Sequence, residues 1–309
     1  MNKMKKVKYY LALLLSAALL YTSCEEDTTT EIEKSIYAKS EWVTKILEFK
    51  PAPGQHRNKT PDQSLLDEAK NIIGDNSKTI ALGLFGGYVT FAYDGALRND
   101  EGDDLAVFGN AFENSSEPAI MQVSYDENKD GIANDTWYEL KGSEYDKSET
   151  IKNYQITYFK PANDDQKHQI NWLDHKGETG IIEFKSIKPF HPQAMYPLQY
   201  GTSVTFTGTL LKNNIVLEDD PTYGKIYKWK AYAWGYADNK GYELKNGFKG
   251  ADLFDFDNAI DQNGKKVSLK EIHFIKLYNA TLPSKEYGIT ILGDRSADIS
   301  KIKYLHFNK

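Results

Sequence analysis

A succession of short strand-like segments limits the folds open to this chain more than any other feature. Segments rich in β-branched and aromatic residues recur along most of its length, and clusters of Asp, Asn, Gly and Gln separate them. Such segments are typical of β-strands, and such clusters are typical of turns. The sequence therefore predicts an all-β fold, a β-sandwich or jelly roll. The predicted strands are TIALGLFGGYVTFAYD, DLAVFGNAF, AIMQVSYD, DTWYELKG, YQITYFKP, TGIIEFK, TSVTFTGTLL, YKWKAYAWGYA, KEIHFIKLYNA and YGITILGD.

Only one segment predicts a helix, and it lies near the N-terminus. Thr60-Pro61-Asp62-Gln63 has the pattern of a capping box, SLLDEAKNII carries an apolar stripe, and Gly74 can end the helix. No internal repeat has a fixed period, and no low-complexity linker follows Trp42. We therefore expect a single domain over residues 42–309.

The N-terminus predicts an exported protein. Four lysines precede an apolar run from Leu11 to Leu20, which is too short to span a bilayer and has the flanks of a signal peptide. The run ends at Thr22-Ser23-Cys24, and Cys24 is the only cysteine in the chain. Small residues before a lone cysteine resemble a bacterial lipobox, so we predict a signal peptide over residues 1–23 and lipidation of Cys24. The alternative is a signal peptide followed by an incidental cysteine.

Residues 24–41 predict a flexible acidic tether. The segment EEDTTTEIEKS is too polar to bury itself. An acidic stretch directly after a lipidated cysteine resembles a surface-export signal, so we predict lipid anchoring in the outer membrane, facing the cell surface. Cleavage before Cys24 changes the formal net charge from -6 to about -10. This charge argues against a nucleic-acid partner.

The stretch DENKDGIANDTW has the spacing of a loop that wraps one hard cation. Oxygen-bearing side chains alternate along it, and Gly131 permits a sharp turn. Trp137 stands where an EF-hand has its bidentate glutamate, so the pattern indicates a calcium loop between strands. The alternative is a polar hairpin, but three close carboxylates repel one another without a cation. The predicted calcium ligands are Asp126, Asn128, Asp130, Ile132 (through its backbone carbonyl) and Asp135.

A second candidate site lies in YKWKAYAWGYADN. Trp234 and Tyr236 alternate with small residues, so a strand would place both rings on one face. Asp238 and Asn239 follow at once, and aromatic rings beside polar groups suit a sugar or a large flat ligand. We predict a ligand site at these four residues, with packing in a sandwich core as the alternative.

The sequence carries no recognisable catalytic motif. Its six histidines show no metal-binding spacing, and neither a nucleophile elbow nor a phosphate-binding loop is present. A pair of carboxylates for glycoside hydrolysis would meet through the fold and not through spacing, so a hydrolase is the third choice. We predict that the protein is not an enzyme.

Several segments resemble a family of Bacteroidetes cell-surface lipoproteins that are often associated with PKD domains. The similar segments are PAPGQ, LGLFGGYVTFAYD, DDLAVFGNAFENSSEPAI, DENKDGIANDTWYELKGSE, WGYADN and FDFDNAIDQNGKKVSLKEIHFIKLYNA. They span about residues 43–295. The chain departs from the family's pattern at Asn258, where tryptophan is usual, and at the ending YGITILGD.

The resemblance implies a jelly-roll-like fold with bound calcium. It also implies a place among genes for TonB-dependent uptake, including uptake of vitamin B12. We therefore expect a surface lipoprotein that binds a nutrient and delivers it to a TonB-dependent outer-membrane transporter. A corrinoid such as vitamin B12 is the first choice of ligand and a glycan the second. The alternative class is a structural or adhesion accessory subunit without a small ligand.

Overall fold

The computed structural model describes residues 36–54, 65–76, 78–162, 169–183, 196–283 and 295–307. The predicted signal peptide, Cys24, most of the tether, the capping box at Thr60 and the segment YGITILGD lie outside the described residues. Within the described part, no helix has the length and apolar character needed to cross a membrane.

Strands dominate the described residues, and one short helix, α1 (Leu65–Ala69), lies near the N-terminal end. A 3-10 turn over Lys70–Ile72 continues α1, and Gly74 follows with a positive φ of 75°. The prediction of an all-β sandwich or jelly roll with one short helix is confirmed. The strands are β1 (Lys45–Lys50), β2 (Ile80–Ala81), β3 (Tyr88–Ala92), β4 (Leu97–Arg98), β5 (Leu105–Phe108), β6 (Ala119–Ser124), β7 (Trp137–Leu140), β8 (Ile151–Phe159), β9 (Gln169–Asp174), β10 (Thr179–Glu183), β11 (Ser203–Leu210), β12 (Ile215–Asp220), β13 (Gly224–Trp229), β14 (Leu244–Lys245), β15 (Phe248–Lys249), β16 (Ala251–Phe254), β17 (Ala259–Ile260), β18 (Glu271–Ile272), β19 (Phe274–Asn279), β20 (Asp298–Ile299) and β21 (Lys301–Tyr304).

The main core lies between a six-stranded and a three-stranded antiparallel sheet. The strand orders are β1-β3-β19-β6-β7-β17 and β16-β5-β21. Alternate residues of each strand point inward, so Phe91 and Leu277 of the larger sheet pack in one cluster with Val107 and Ile302 of the smaller. Ile72, from the turn after α1, joins this cluster.

A four-stranded antiparallel sheet, ordered β10-β9-β8-β11, forms a second layer with its own apolar cluster. Tyr158 packs there, and its hydroxyl donates to the backbone carbonyl of Phe85 at 3.1 Å. Gly208 of β11 lies against the ring of Tyr278, where a Cβ would come within 2.7 Å of the ring. The second layer therefore partly covers the face of the six-stranded sheet that points away from the main core.

Some strand predictions are wrong in extent. The segment YKWKAYAWGYA is a strand only as far as Trp229, because the chain after β13 runs through bends to an isolated bridge at Ala237. The edge strands β1, β12 and β16 were not among the predicted segments. They are short or carry many charged residues, so their composition gives a weak strand signal. The single domain over residues 42–309 stays a prediction.

Candidate functional site

The acidic stretch forms the loop of a hairpin between β6 and β7, which pair antiparallel. The backbone turns sharply at Lys129 and Gly131, with φ angles of 58° and 72°. One oxygen each from Asp126, Asp130 and Asp135 lies within 4.8 Å of the others. The three predicted carboxylate ligands therefore meet, and their flanks are strands as predicted.

The loop's own hydrogen bonds orient these carboxylates. Asp126 is buried, and its two oxygens accept the backbone N–H groups of Asp130 at 3.1 Å and Gly131 at 3.0 Å. Asp130 Oδ1 accepts the N–H of Ile132 at 2.8 Å, and this bond lowers the pKa of Asp130. The backbone N–H groups of the loop therefore point at the carboxylates of Asp126 and Asp130.

Asp135 has a carboxylate oxygen that is available to bind a cation. Its Oδ2 atom is shielded from solvent and has no hydrogen-bond partner. A carboxylate oxygen in that state loses the stabilisation that water would give it. A hard cation satisfies such an oxygen, and carboxylate, amide and carbonyl oxygens are the ligands that calcium takes.

The two remaining predicted ligands, Asn128 and the carbonyl of Ile132, already accept hydrogen bonds within the loop. Asn128 Oδ1 accepts the N–H of Asp130 at 2.9 Å, and its amide donates to Asp130 Oδ2 at 3.0 Å. The carbonyl of Ile132 accepts the N–H of Asn134 at 2.8 Å, which leaves its second lone pair free to bind an ion. The residues present fit a calcium ion with oxygen ligands.

The second candidate site is built differently from the prediction. The chain from Ala231 to Tyr236 is not a strand, and Gly235 has a positive φ of 87°. Trp234 is 44% exposed whereas Tyr236 is 1% exposed. The prediction that both rings share one strand face is wrong, because the turn at Gly235 sends them in different directions.

Tyr236 is a core residue. Its ring packs edge-on against Tyr232 with centroids 5.2 Å apart, and its hydroxyl accepts the backbone N–H of Glu144 at 2.9 Å. Gly142 lies against the same ring, where a Cβ would come within 2.5 Å. Burial therefore accounts for Tyr236, and the prediction that its ring stacks on a ligand is wrong.

Asp238 anchors two backbone segments through three N–H groups. Its Oδ1 accepts the N–H groups of Asn110 at 2.9 Å and Ala111 at 2.7 Å, and its Oδ2 accepts that of Asp298 at 2.9 Å. Burial raises the pKa of Asp238 to about 7, although these donors lower it. Its oxygens hold the chain and do not face a ligand, so this predicted contact is also wrong.

Asn239 is equally enclosed. Its side chain accepts the N–H of Tyr232 at 2.8 Å and donates to the carbonyl of the same residue at 3.0 Å. Its own N–H and that of Lys240 donate to Asp252, at 2.8 and 2.7 Å. Burial raises the pKa of Asp252 to about 6. The predicted amide contact from Asn239 to a ligand is wrong for the same reason.

Of the four predicted ligand residues, Trp234 lines a cavity. The hollow measures about 390 Å³ and lies where β7, the turn at Gly235 and the hairpin β14–β15 meet. We call it the Trp234 hollow. Its lining residues are Asp103, Leu140, Lys141, Trp234, Gly235, Leu244, Lys245, Asn246, Leu253, Phe254, Asp255 and Asn258.

The polar side chains that line the Trp234 hollow are carboxylates, amides and the two lysines Lys141 and Lys245. Asn246 Nδ2 donates to Asp103 Oδ2 at 2.8 Å, and Asp255 Oδ1 accepts the N–H of Asp257 at 2.7 Å. Burial raises the pKa of Asp255. Trp234 and Leu244, which is 69% exposed, form the exposed apolar rim of the hollow, and Leu140, Leu253 and Phe254 complete its apolar lining.

Sequence reasoning missed Asp255, Asn246 and Asn258 as lining residues. Asp255 and Asn258 belong to one 3-10 turn, and Asn246 lies in the hairpin β14–β15. These turns meet Trp234 only in the fold, so no local spacing connects them to it. The presence of polar residues directly after strands was the available signal.

A second hollow, also about 390 Å³, is lined by Arg98, Asp100, Glu101 and His306. Behind it, His306 Nε2 lies 3.1 Å from Asp104 Oδ1, and both side chains are buried. Asp104 Oδ2 also accepts the N–H of Phe256 at 2.7 Å, so this carboxylate joins distant segments. Burial raises the pKa of Asp104 to about 8.

Comparison with known proteins adds no assignment to this geometry. No protein-family model matches the chain, and no curated protein matches it.

Proposed function

We propose that this protein is a lipid-anchored, surface-exposed lipoprotein that binds a saccharide nutrient in the Trp234 hollow. The observation that carries the proposal is an indole 44% exposed at the edge of a hollow of about 390 Å³. Ligand cavities commonly measure about 300–1,000 Å³ and combine an apolar wall with a few polar groups. The Trp234 hollow meets both conditions.

A saccharide suits the chemistry of this wall better than a corrinoid does. A sugar ring has an apolar face that can lie on Trp234 and hydroxyl groups that can donate to Asp103 and Asp255. Asn246 and Asn258 offer amide groups to the same hydroxyls. A corrinoid is much larger than the hollow, so only part of the macrocycle would enter it.

A corrinoid is the second candidate, and the exposed rim favours it. Trp234 and Leu244 continue the apolar wall beyond the hollow, where a flat ligand larger than a sugar would contact them. The resemblance to lipoproteins encoded near vitamin B12 uptake genes supports the same ligand. For either ligand, we propose a TonB-dependent outer-membrane transporter as the partner.

We further propose that calcium is a structural cofactor of the β6–β7 hairpin. Asp126, Asp130 and Asp135 would hold it through carboxylates, with Asn128 and the Ile132 carbonyl completing the set. When bound, the ion supplies a positive charge that cancels the repulsion between the carboxylates. The solvent-shielded, unpartnered Oδ2 of Asp135 supports this assignment.

Titration of the purified protein with a glycan panel and with cyanocobalamin tests the ligand. We expect saturable binding of a saccharide, and Trp234→Ala should abolish it while the melting temperature changes little, because the indole is half exposed. Tyr223→Ala is the matched control, since it removes an aromatic ring that is 79% exposed and lies outside the hollow. Binding that survives Trp234→Ala unchanged would place the ligand elsewhere.

Fractionation of cells tests the anchor separately. Cys24→Ala should move the protein out of the membrane fraction, because the lipid attachment would be lost. Retention of the variant in that fraction at the wild-type level would contradict the proposed lipid anchor.

A further inference from the structure

The hairpin β14–β15 forms one side of the Trp234 hollow and is a separate two-stranded sheet. Each strand has two residues, and the turn between them is Asn246-Gly247, with φ angles of 46° and 84°. Asparagine and glycine adopt such angles readily and are typical of a tight two-residue hairpin turn. A two-stranded hairpin alone is only marginally stable in water. The position of β14–β15 therefore depends on its contacts with the rest of the molecule.

A side-chain hydrogen bond holds the tip of this hairpin. Asn246 Nδ2 donates to Asp103 Oδ2 at 2.8 Å, and both residues line the Trp234 hollow. Among the residues that the structure describes, no other hydrogen bond joins residues 244–249 to the rest of the chain. The bond is exposed, so water competes for both groups and the net stabilisation is small. The tip is therefore held weakly at the edge of the hollow.

Glycines stand at both ends of the segment that carries the hairpin. A Cβ on Gly241, which precedes the hairpin, would lie 3.1 Å from the carbonyl oxygen of Gly250, which follows it. The two ends of the segment therefore meet. Gly250 has a φ of 88°, which favours glycine. Hinges are a few residues, often small, that absorb the change in φ and ψ when an element moves. Gly241 and Gly250 provide such a hinge.

The hairpin carries an apolar side chain that the ligand-free protein leaves in water. Leu244 lines the hollow, yet it is 69% exposed. The indole of Trp234, which comes from a different turn, is 44% exposed at the same hollow. Movement of the hairpin over a ligand on the indole would remove this apolar surface from water. The free energy gained is proportional to the apolar area that is buried.

We propose that β14–β15 is a lid that turns about Gly241 and Gly250 and closes over the ligand in the Trp234 hollow. This inference rests on the function proposed for that hollow. A hydroxyl group of the ligand takes the place of the Asn246 amide at Asp103, so ligand entry releases the tip. Leu244 then packs against the ligand and becomes a binding residue. Closure of such a lid shields the bound ligand from water.

Backbone amide NMR relaxation in the ligand-free protein tests the hinge without any ligand. We expect lower heteronuclear NOE values for residues 244–249 than for β12–β13, a two-stranded hairpin whose strands have six residues each. Asn246→Ala should lower the values of residues 244–249 further, because the bond to Asp103 is lost, and should change the melting temperature little. Values equal to those of β5 and unchanged by Asn246→Ala would overturn the lid.

Titration with maltotriose and with cyanocobalamin compares Leu244→Ala with Leu217→Ala. Leu217 is the matched control, because it is 43% exposed on β12 and lies outside the hollow. We expect Leu244→Ala to weaken binding of the compound that the wild type binds by about tenfold, because three apolar groups no longer pack on it. Leu217→Ala should leave the affinity unchanged. Wild-type affinity in Leu244→Ala would show that Leu244 stays in water and would overturn the lid.

Stopped-flow binding of the same two compounds separates a closing lid from a fixed wall. A lid predicts a second phase whose rate does not rise in proportion to ligand concentration, and Asn246→Ala should change that rate. Binding in a single phase with a rate proportional to concentration would overturn the lid and keep the ligand site. Failure of the wild type to bind either compound would refute the function proposed for the hollow, and the lid with it.

Discussion

The loop at Asp126–Asp135 and the turn at Asp238–Asn239 both contain carboxylates, but they differ in the hydrogen-bond donors that these carboxylates meet. In the turn, Asp238 accepts three backbone N–H groups and Asp252 accepts two. In the loop, carboxylates from three positions converge, and Asp135 Oδ2 has no partner. Backbone donors can replace a cation when a carboxylate is buried among chain segments, whereas an exposed hairpin tip has too few donors to do so.

The hydrogen bonds of an acidic cluster distinguish a structural brace from a candidate binding site. A carboxylate whose oxygens all meet N–H groups is an internal brace, however polar the sequence around it. Convergent carboxylates that leave an oxygen unmatched point to an external ligand. On this basis we propose a cation site at the loop, whereas the turn at Asp238 is structural.

The largest expected effect is that of Asp238→Ala. This change leaves the N–H groups of Asn110, Ala111 and Asp298 without their acceptor in a part-buried place. We expect a loss of about 3–5 kcal/mol in the free energy of unfolding, with or without calcium. Urea denaturation measures it. Asp238→Asn, which keeps one acceptor oxygen, should lose less, and a loss below about 1 kcal/mol for Asp238→Ala would refute the role as a brace.

A smaller, calcium-dependent effect is expected for Asp130→Ala. A ligand at a hundred times its dissociation constant stabilises the folded state by about 2.7 kcal/mol. The variant should therefore lose about 2–3 kcal/mol in saturating calcium but remain close to the wild type in chelator. Glu127→Ala is the matched control, because Glu127 is exposed in the same loop and lies outside the carboxylate cluster. Equal losses in chelator and in calcium would indicate a structural role for Asp130.

Stability should also depend on pH with opposite signs in the two regions. Burial raises the pKa of Asp238 to about 7 and of Asp252 to about 6, so the folded state holds protons that the unfolded state releases. Their contribution is complete below the unfolded pKa of about 4 and is lost as the pH rises through 6 to 7. The pKa of Asp130 is lowered, so its contribution is present above about pH 4 and is lost as the pH falls.

Urea denaturation in chelator between pH 4 and 8 measures this dependence. The free energy of unfolding should fall as the pH rises, and Asp252→Asn should reduce the slope between pH 5 and 7. A slope that Asp252→Asn does not change would show that this carboxyl titrates alike in the folded and unfolded states.

The sequence predicts the strands and the hairpin well because their signals are local. β6 and β7 carry β-branched and aromatic residues. Alternate oxygen-bearing residues and Gly131 predict the loop between them. The meeting of Asp126 with Asp135 follows from a tight turn that nearby residues determine.

The turn at Asp238 could not be predicted in the same way. The alternation of Trp234 and Tyr236 indicates a strand only if Gly235 has strand geometry, and its positive φ breaks that condition. The partners of Asp238 lie more than a hundred residues earlier at Asn110 and sixty residues later at Asp298. No spacing along the chain reveals them, so a buried brace resembled a ligand site.

The most direct test of this comparison is a calcium titration followed through backbone amide NMR signals. We expect saturable shifts at Asp130, Gly131 and Ile132, whose N–H groups donate to the converging carboxylates. We expect no shift at Asn110, Ala111 or Asp298, whose N–H groups donate to Asp238. Unchanged loop signals at millimolar calcium, or calcium-dependent shifts centred on the Asp238 turn, would contradict calcium binding by the loop carboxylates.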